Sequence, residues 1–216
     1  MRPTAVLCDA MGTLVRFDRP VERMRGSLAA RGIVITHDEA VAALTAEVRL
    51  YRDEHLTAVD LPSIEALRRR CADALRLTLP KQLDHERAYS VLAGLIRFEV
   101  LPTSRESLTR LRRAGISIAV VSNWDASLRG TMLAVGLAGH VDAVVSSAEV
   151  GRAKPDPALL ARGLELLGGV DPSQAVMVGD HAVDHAAAAA LGMPSLLVEP
   201  GSGIAAAVDA ILDLPA

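Results

Sequence analysis

Short apolar runs alternate with helix-like segments over the second half of the chain, from Leu101 onward. The runs are rich in β-branched residues and too short for helices, so they predict strands. Strands that alternate with helices pair in parallel, because each helix returns the chain to the same end of the sheet. The pattern therefore predicts an α/β fold with a doubly wound, Rossmann-like parallel sheet. The predicted strands are 116–121, 141–145, 175–178 and 196–198, and the predicted helices are 104–114, one ending near 135, 155–167, 183–191 and 204–212.

One further strand is predicted near the start of the chain, where the apolar run 5–8 is followed by Asp9. Gly12 comes three residues later and allows a tight backbone turn. Open α/β sheets bind ligands beyond the carboxyl ends of their strands, which is where this acid falls. Asp9 is therefore a candidate site residue, although an acid in this position can also simply cap the turn that follows.

Residues 16–99 show a different pattern, with several helix signals and no clear strand. Pro20 can open a first helix, and Thr36 to Glu39 has the sequence of a capping box at the start of a second. Ser63 is predicted to head a third helix, and Pro80 separates it from a fourth. A segment this long is not a loop, so we expect an all-helical subdomain over 16–99 and a core formed by 1–15 and 100–216. The predicted helices are 20–31, 36–55, 63–77 and 82–97.

The composition narrows the class of partner. The formal net charge of −3 is too small to suggest a nucleic acid or a membrane surface, so we expect neither. The two cysteines, Cys8 and Cys71, form no spacing pattern, which is typical of reduced thiols in a cytosolic protein. No signal-peptide pattern or membrane-length apolar run is evident. We therefore expect a cytoplasmic protein with a small-molecule substrate, either a monomer or a homodimer.

The stretch that contains Asp9, Gly12, Thr13 and Leu14 resembles the first motif of the haloacid dehalogenase-like hydrolase superfamily, in which the Asp is a nucleophile. Three later stretches, each just after a predicted strand or before a predicted helix, match the remaining motifs in order. They are Ser122-Asn123, Lys154-Pro155, and Asp180 with Asp184. Each alone has a structural explanation, as a helix cap or a solvated loop charge. Taken together they resemble the family along the whole chain, and the resemblance implies that the helical insertion is a cap over the active site.

The resemblance also implies a role for each residue. Asp9 would attack phosphorus and form an aspartyl-phosphate; Ser122 and nearby backbone N–H groups would hold the phosphoryl oxygens, and Lys154 would offset their charge. Mg²⁺ is the implied cofactor, since it prefers oxygen ligands. Carried over in this way, the catalytic residues are Asp9, Ser122 and Lys154; the metal ligands are Asp9, the Met11 carbonyl and Asp180, with Asp184 behind them; and Met11, Gly12, Thr13 and Asn123 contact substrate.

Two further substrate contacts are predicted from position alone. Trp124 directly follows Ser122-Asn123, and large apolar residues in such loops often line pockets, so we expect its indole to face the cleft. His181 directly follows Asp180 and is a weaker candidate. Phe17 and Phe98 lie near the two crossings between the core and the helical segment.

Met11 departs from the family pattern, because the position usually holds a second Asp that acts as general acid and base. Methionine cannot exchange a proton, so three functions stay open. The first is a Mg²⁺-dependent phosphatase acting on a small phosphorylated metabolite. The second is a metal-free 2-haloacid dehalogenase, although such enzymes typically carry Ser-Asn where this chain has Gly179-Asp180. The third is a binding or regulatory protein that keeps the fold without turnover.

Overall fold

A five-stranded parallel sheet forms the centre of the larger part of the chain. The computed structural model describes residues 2–79 and 83–215. The strands of the sheet are β1 (Ala5–Cys8), β4 (Ser117–Ser122), β5 (Ala143–Ser146), β6 (Ala175–Gly179) and β7 (Ser195–Leu197). Each lies within three residues of its predicted bounds. The sheet order is β5-β4-β1-β6-β7, which confirms the predicted doubly wound α/β fold.

The strand register brings the candidate site residues to one edge of this sheet. Cys8 of β1 lies opposite Val120 of β4 on one side and Val178 of β6 on the other. Because the three strands are parallel and in this register, the residues that follow them leave the sheet at the same level. Asp9 therefore emerges between the ends of the two strands that lead to Ser122 and Asp180.

Helices cover the sheet and enclose an aliphatic core. Leu7, Val121, Leu160 and Met177 are among its fully or nearly fully buried side chains, as expected from a composition with only 2% aromatic residues. The helices of this unit are α5 (Ser104–Arg113), α6 (Leu128–Ala134), α7 (Ser147–Val150), α8 (Ala158–Leu166), α9 (Ala182–Ala190) and α10 (Ala205–Leu212).

The start of α8 corrects one prediction. The helix begins at Ala158, three residues after Pro155, and the Lys154–Pro155 peptide bond is cis. Pro155 lies in the loop that precedes the helix and does not occupy its first turn. Proline fixes its own φ but not the conformation of the residues that follow, so its presence alone did not locate the helix start.

The chain divides into two compact units, Met1–Arg16 with Glu99–Ala216, and Phe17–Phe98. The second unit contains α1 (Pro20–Ala29), α2 (His37–Glu54), α3 (Leu61–Thr78) and α4 (His85–Leu95). The capping box of Thr36 and Glu39 is formed as predicted. Helix α3 begins two residues earlier than expected, with Asp60 as its cap and Ser63 as the partner in the box. The predicted boundary at Pro80 and the predicted start at residue 82 lie outside the described residues.

Two short strands overturn the prediction that residues 16–99 contain none. Strands β2 (Val15–Phe17) and β3 (Phe98–Val100) form a two-stranded sheet where the chain passes between the units. The rings of Phe17 and Phe98 lie 4.8 Å apart between centroids and are tilted by 33° to each other. Runs of three residues are too short to show a period of two, so neither strand has a recognisable sequence signal. None of the helices in the described part of the chain is long and apolar enough to cross a membrane.

Candidate active site

Three carboxylates converge at the carboxyl edge of the sheet. Asp9 follows β1, Asp180 follows β6, and Asp184 lies in the first turn of α9. One oxygen from each lies within 4.8 Å of the others. Asp9 and Asp184 are buried and Asp180 is half-buried. Ionised carboxylates this close repel one another, so the cluster needs a positive partner.

Lys154 supplies the positive charge. Its Nζ donates to Asp9 Oδ1 at 2.6 Å, to Asp184 Oδ1 at 2.5 Å and to the Val121 carbonyl at 3.0 Å. The residue is only 4% exposed. Burial by itself would lower the pKa of this ammonium, but the charges of Asp9 and Asp184 and their hydrogen bonds outweigh it and raise the pKa. Lys154 therefore stays protonated, and it is the one cation paired with these carboxylates among residues 2–79 and 83–215.

Two hydroxyl groups orient the carboxylates of Asp9 and Asp180. Ser122 Oγ donates to Asp9 Oδ1 at 2.8 Å, and Thr13 Oγ1 donates to Asp180 Oδ1 at 2.8 Å. Ser122 and Lys154 both contact Oδ1 of Asp9. The other oxygen, Oδ2, takes part in neither bond, so it is the atom of this carboxylate that is best placed to react.

Gly12 keeps the turn after Asp9 close to Asp180. Its φ of +82° favours glycine, and a Cβ at this position would overlap the Asp180 carboxylate. The turn is closed by a hydrogen bond from Gly12 N–H to the Val15 carbonyl at 2.8 Å. The Gly12 carbonyl in turn accepts from Gly201 N–H at 2.8 Å. The glycine thus allows two chain segments far apart in sequence to approach closely enough to share one site.

Burial raises the pKa of two of the acids. For Asp180 the burial effect and the charge of Asp9 outweigh the lowering hydrogen bond from Thr13. For Asp184 burial is again the largest effect, opposed by Lys154 and reinforced by Asp9. Ionising all three carboxylates beside one ammonium would leave two negative charges uncompensated. The site is therefore suited to a divalent cation.

Cys8 is not a competing nucleophile, although it adjoins Asp9. It is fully buried in β1, and burial, together with the charge of Asp9, raises the pKa of its thiol to about 12. A thiol reacts as its thiolate, so this side chain is inert at neutral pH. This agrees with its interpretation as a small strand residue.

The haloacid dehalogenase-like hydrolase family model matches residues 3–192. The chain belongs to this family. The predicted resemblance to this family is thereby confirmed.

Relatives of this haloacid dehalogenase-like hydrolase include phosphatases. It is 39% identical over 120 residues to the plasmid-encoded phosphoglycolate phosphatase of Cupriavidus necator, covering 53% of this chain and 52% of that protein. It is 33% identical over 124 residues to haloacid dehalogenase-like hydrolase domain-containing protein 3 of Mus musculus, covering 57% and 49%. The chain spans about half the length of the curated relatives it matches.

Among solved structures, the fold is similar to that of the L-2-haloacid dehalogenase from Xanthobacter autotrophicus. The TM-score is 0.67 with 23% sequence identity, over 91% of this chain and 77% of that one. At this identity the likeness establishes the shared fold and nothing about the reaction.

Four further residues were predicted to contact substrate: Met11, Asn123, Trp124 and His181. Met11 and His181 lie beside the carboxylates in sequence, Met11 half-buried and His181 exposed, and their roles stay predictions. The side-chain amide of Asn123 forms two hydrogen bonds with the backbone of Lys154, one through its oxygen and one through its nitrogen. Trp124 is only 5% exposed, and its Nε1–H donates to Ser127 Oγ at 3.3 Å. Asp9, Ser122 and Lys154 are as deeply buried as this indole, so the cleft-facing orientation of Trp124 stays a prediction.

Two residues that support the site were not predicted. Ser147 Oγ accepts from Trp124 N–H at 3.0 Å and donates to the Trp124 carbonyl at 3.2 Å. The backbone N–H of Gly201 donates a hydrogen bond to the Gly12 carbonyl. The sequence signal for Ser147 was its place just after β5, on the same edge as the other site residues. Gly201 gave no signal beyond its place in the loop after β7.

Proposed function

We propose that this hydrolase is a Mg²⁺-dependent phosphatase that cleaves a small phosphorylated metabolite through an aspartyl-phosphate on Asp9. One observation carries the proposal: the carboxylates of Asp9, Asp180 and Asp184 lie within 4.8 Å of one another with a single lysine to offset them. Phosphatases among the curated relatives support the same reaction class.

The donor set fits magnesium. Mg²⁺ takes oxygen ligands and keeps several waters, so a few carboxylates are enough to hold it. Asp9, Asp180 and the Met11 carbonyl would bind the ion, with Asp184 supporting them. When bound, the ion would offset the negative charge of the carboxylates and the charge on the phosphoryl oxygens.

Side chains of the protein would carry out the attack on phosphorus and bind the transferred phosphoryl group. Asp9 Oδ2 attacks phosphorus as the bond from phosphorus to the leaving oxygen breaks, and the leaving group departs with the electron pair. Ser122 Oγ and Lys154 Nζ already point at the Asp9 carboxylate. They are therefore close enough to donate to the transferred phosphoryl group. Water then attacks phosphorus and restores free Asp9, releasing inorganic phosphate.

Met11 restricts the substrates. An alkoxide leaving group needs a proton, and a thioether side chain has none to give. Acyl and aryl phosphates leave as stabilised anions and need no acid. The proposed substrates are therefore phosphate compounds with good leaving groups, and simple alkyl phosphates are poor ones.

The test is phosphate release from acetyl phosphate and p-nitrophenyl phosphate, with and without Mg²⁺. We expect turnover that requires the metal and is abolished in Asp9→Asn. The matched control is Asp213→Asn, which changes an exposed acid of the same unit and should keep full activity. Metal-independent turnover, or activity retained in Asp9→Asn, would contradict the proposal.

Met11 also favours a second candidate, a 2-haloacid dehalogenase in which Asp9 displaces halide from carbon. That reaction needs no leaving-group proton and no metal, but it gives no role to Asp180 and Asp184 beside the nucleophile. Halide release from 2-chloropropionate in metal-free buffer is the deciding measurement. Binding of Mg²⁺ without any turnover would instead favour a binding or regulatory protein.

A further inference from the structure

Asn123 holds the backbone of Lys154 from both sides. Its Oδ1 accepts from Lys154 N–H at 2.7 Å, and its Nδ2 donates to the Lys154 carbonyl at 2.9 Å. A primary amide can donate and accept at once from one planar group, which suits it to pair with a single residue's backbone. Pro155, the next residue, has no backbone N–H that could pair with Asn123. Both hydrogen bonds of the Asn123 amide therefore fix the backbone of Lys154 and not that of its neighbour.

The residue held in this way carries the ammonium at the centre of the carboxylate cluster. A lysine side chain is long and flexible, with three donors on a point charge. Fixing its backbone narrows the range of positions that the Nζ atom can reach, which lowers the entropy lost when it pairs. Lys154 Nζ makes three hydrogen bonds of 2.5 to 3.0 Å in this arrangement.

We propose that Asn123 is a positioning residue, whose amide fixes the Lys154 backbone so that the ammonium bridges Asp9 and Asp184. This role replaces the substrate contact predicted for Asn123. Because the amide is neutral, it holds the loop without adding a fourth negative charge beside the cluster. An aspartate in its place would keep the acceptor, lose the donor and add that charge.

Ser147 provides a matched control. It bonds the backbone of Trp124, the next residue in the same loop, through a donor and an acceptor contact. Ser147→Ala therefore removes hydrogen bonds from the same loop but leaves the Lys154 backbone pairing in place. If Asn123 acted only by bracing the loop after β4, the two variants would behave alike.

The direct test is amine labelling of the full chain in metal-free buffer, read by mass spectrometry. The chain has two lysines, Lys81 and Lys154, so Lys81 serves as an internal reference. In Asn123→Ala we expect the ratio of Lys154 to Lys81 labelling to rise roughly tenfold to 100-fold, the scale set by two lost hydrogen bonds. Asn123→Asp should give a smaller rise. Ser147→Ala should stay within about twofold of the unsubstituted protein, since it loses comparable bonds elsewhere.

An unchanged labelling ratio in both Asn123 variants would overturn the proposal. An equal rise in Ser147→Ala would do the same, because it would report general loosening of the loop. The labelling arm does not depend on any enzymatic activity. It still decides the role of Asn123 if the protein turns over no phosphate compound and the proposed function fails.

A second arm rests on the proposed function and uses a double-mutant cycle with p-nitrophenyl phosphate. Asn123→Ala should lower turnover when Lys154 is present and have no further effect in the Lys154→Met background. Residues that act through one another give such non-additive losses. Additive losses would show that Asn123 does not act through Lys154, and would overturn the proposal.

Discussion

Replacing Lys154 by methionine should cost a large part of the stability of the fold. Methionine keeps most of the side-chain volume, so the change removes the charge and its hydrogen bonds with little cavity. The lysine side chain is 2% exposed, and its carboxylate partners Asp9 and Asp184 are 11% and 3% exposed. Removing one member of a buried ion pair typically costs about 3–5 kcal/mol, because the partner charge is left uncompensated. A domain is typically stable by only about 5–15 kcal/mol in total.

The assay is urea unfolding near neutral pH, with EDTA and then with millimolar Mg²⁺. We expect Lys154→Met to lose about 3–5 kcal/mol in EDTA and to recover more stability from Mg²⁺ than the unsubstituted protein does. Arg110→Met is the matched control, since Arg110 and Asp209 form an exposed pair, 39% and 59% accessible. Exposed pairs contribute about 0–1 kcal/mol. A loss in Lys154→Met no larger than the control's would refute the reasoning that the lysine neutralises the cluster.

Further predictions concern the same site. The pKa of Lys154 is raised above its ordinary 10.5, so its stabilisation is complete below that pH and lost as the pH rises through the folded-state pKa. The gap in unfolding free energy between the unsubstituted protein and Lys154→Met should shrink in alkaline urea titrations, and a constant gap would contradict this. Met11→Asp should raise alkyl phosphate turnover by about 10²-fold or more, and p-nitrophenyl phosphate turnover by less; equal gains would point to water activation alone. Gly12→Ala should weaken Mg²⁺ binding in calorimetry by displacing Asp180, whereas Gly32→Ala, also at positive φ but in open space, should not; similar losses would implicate backbone strain.

Local signals in the sequence predicted most of the elements and their order, but not the short strands β2 and β3. The strand that leads to Asp9 is an uninterrupted apolar run, and the cap at Thr36 depends on side chains three residues apart. Interactions of this range are encoded within a few residues, so they can be predicted without the fold. The family motifs added the prediction of a nucleophile and of the other candidate site residues. Placing those residues at one edge required only that the strands be parallel.

The tertiary structure decided which side chain meets which. The order β5-β4-β1-β6-β7 places Ser122 beside Asp9, and no local pattern specifies that order. The amide of Asn123 binds the backbone of Lys154, 31 positions away, and the ring of Trp124 is buried. A polar side chain takes the partner that packing brings within about 3 Å, and an aromatic ring is buried wherever the core has room for it. Both outcomes depend on segments distant in sequence, so only the folded chain can settle them.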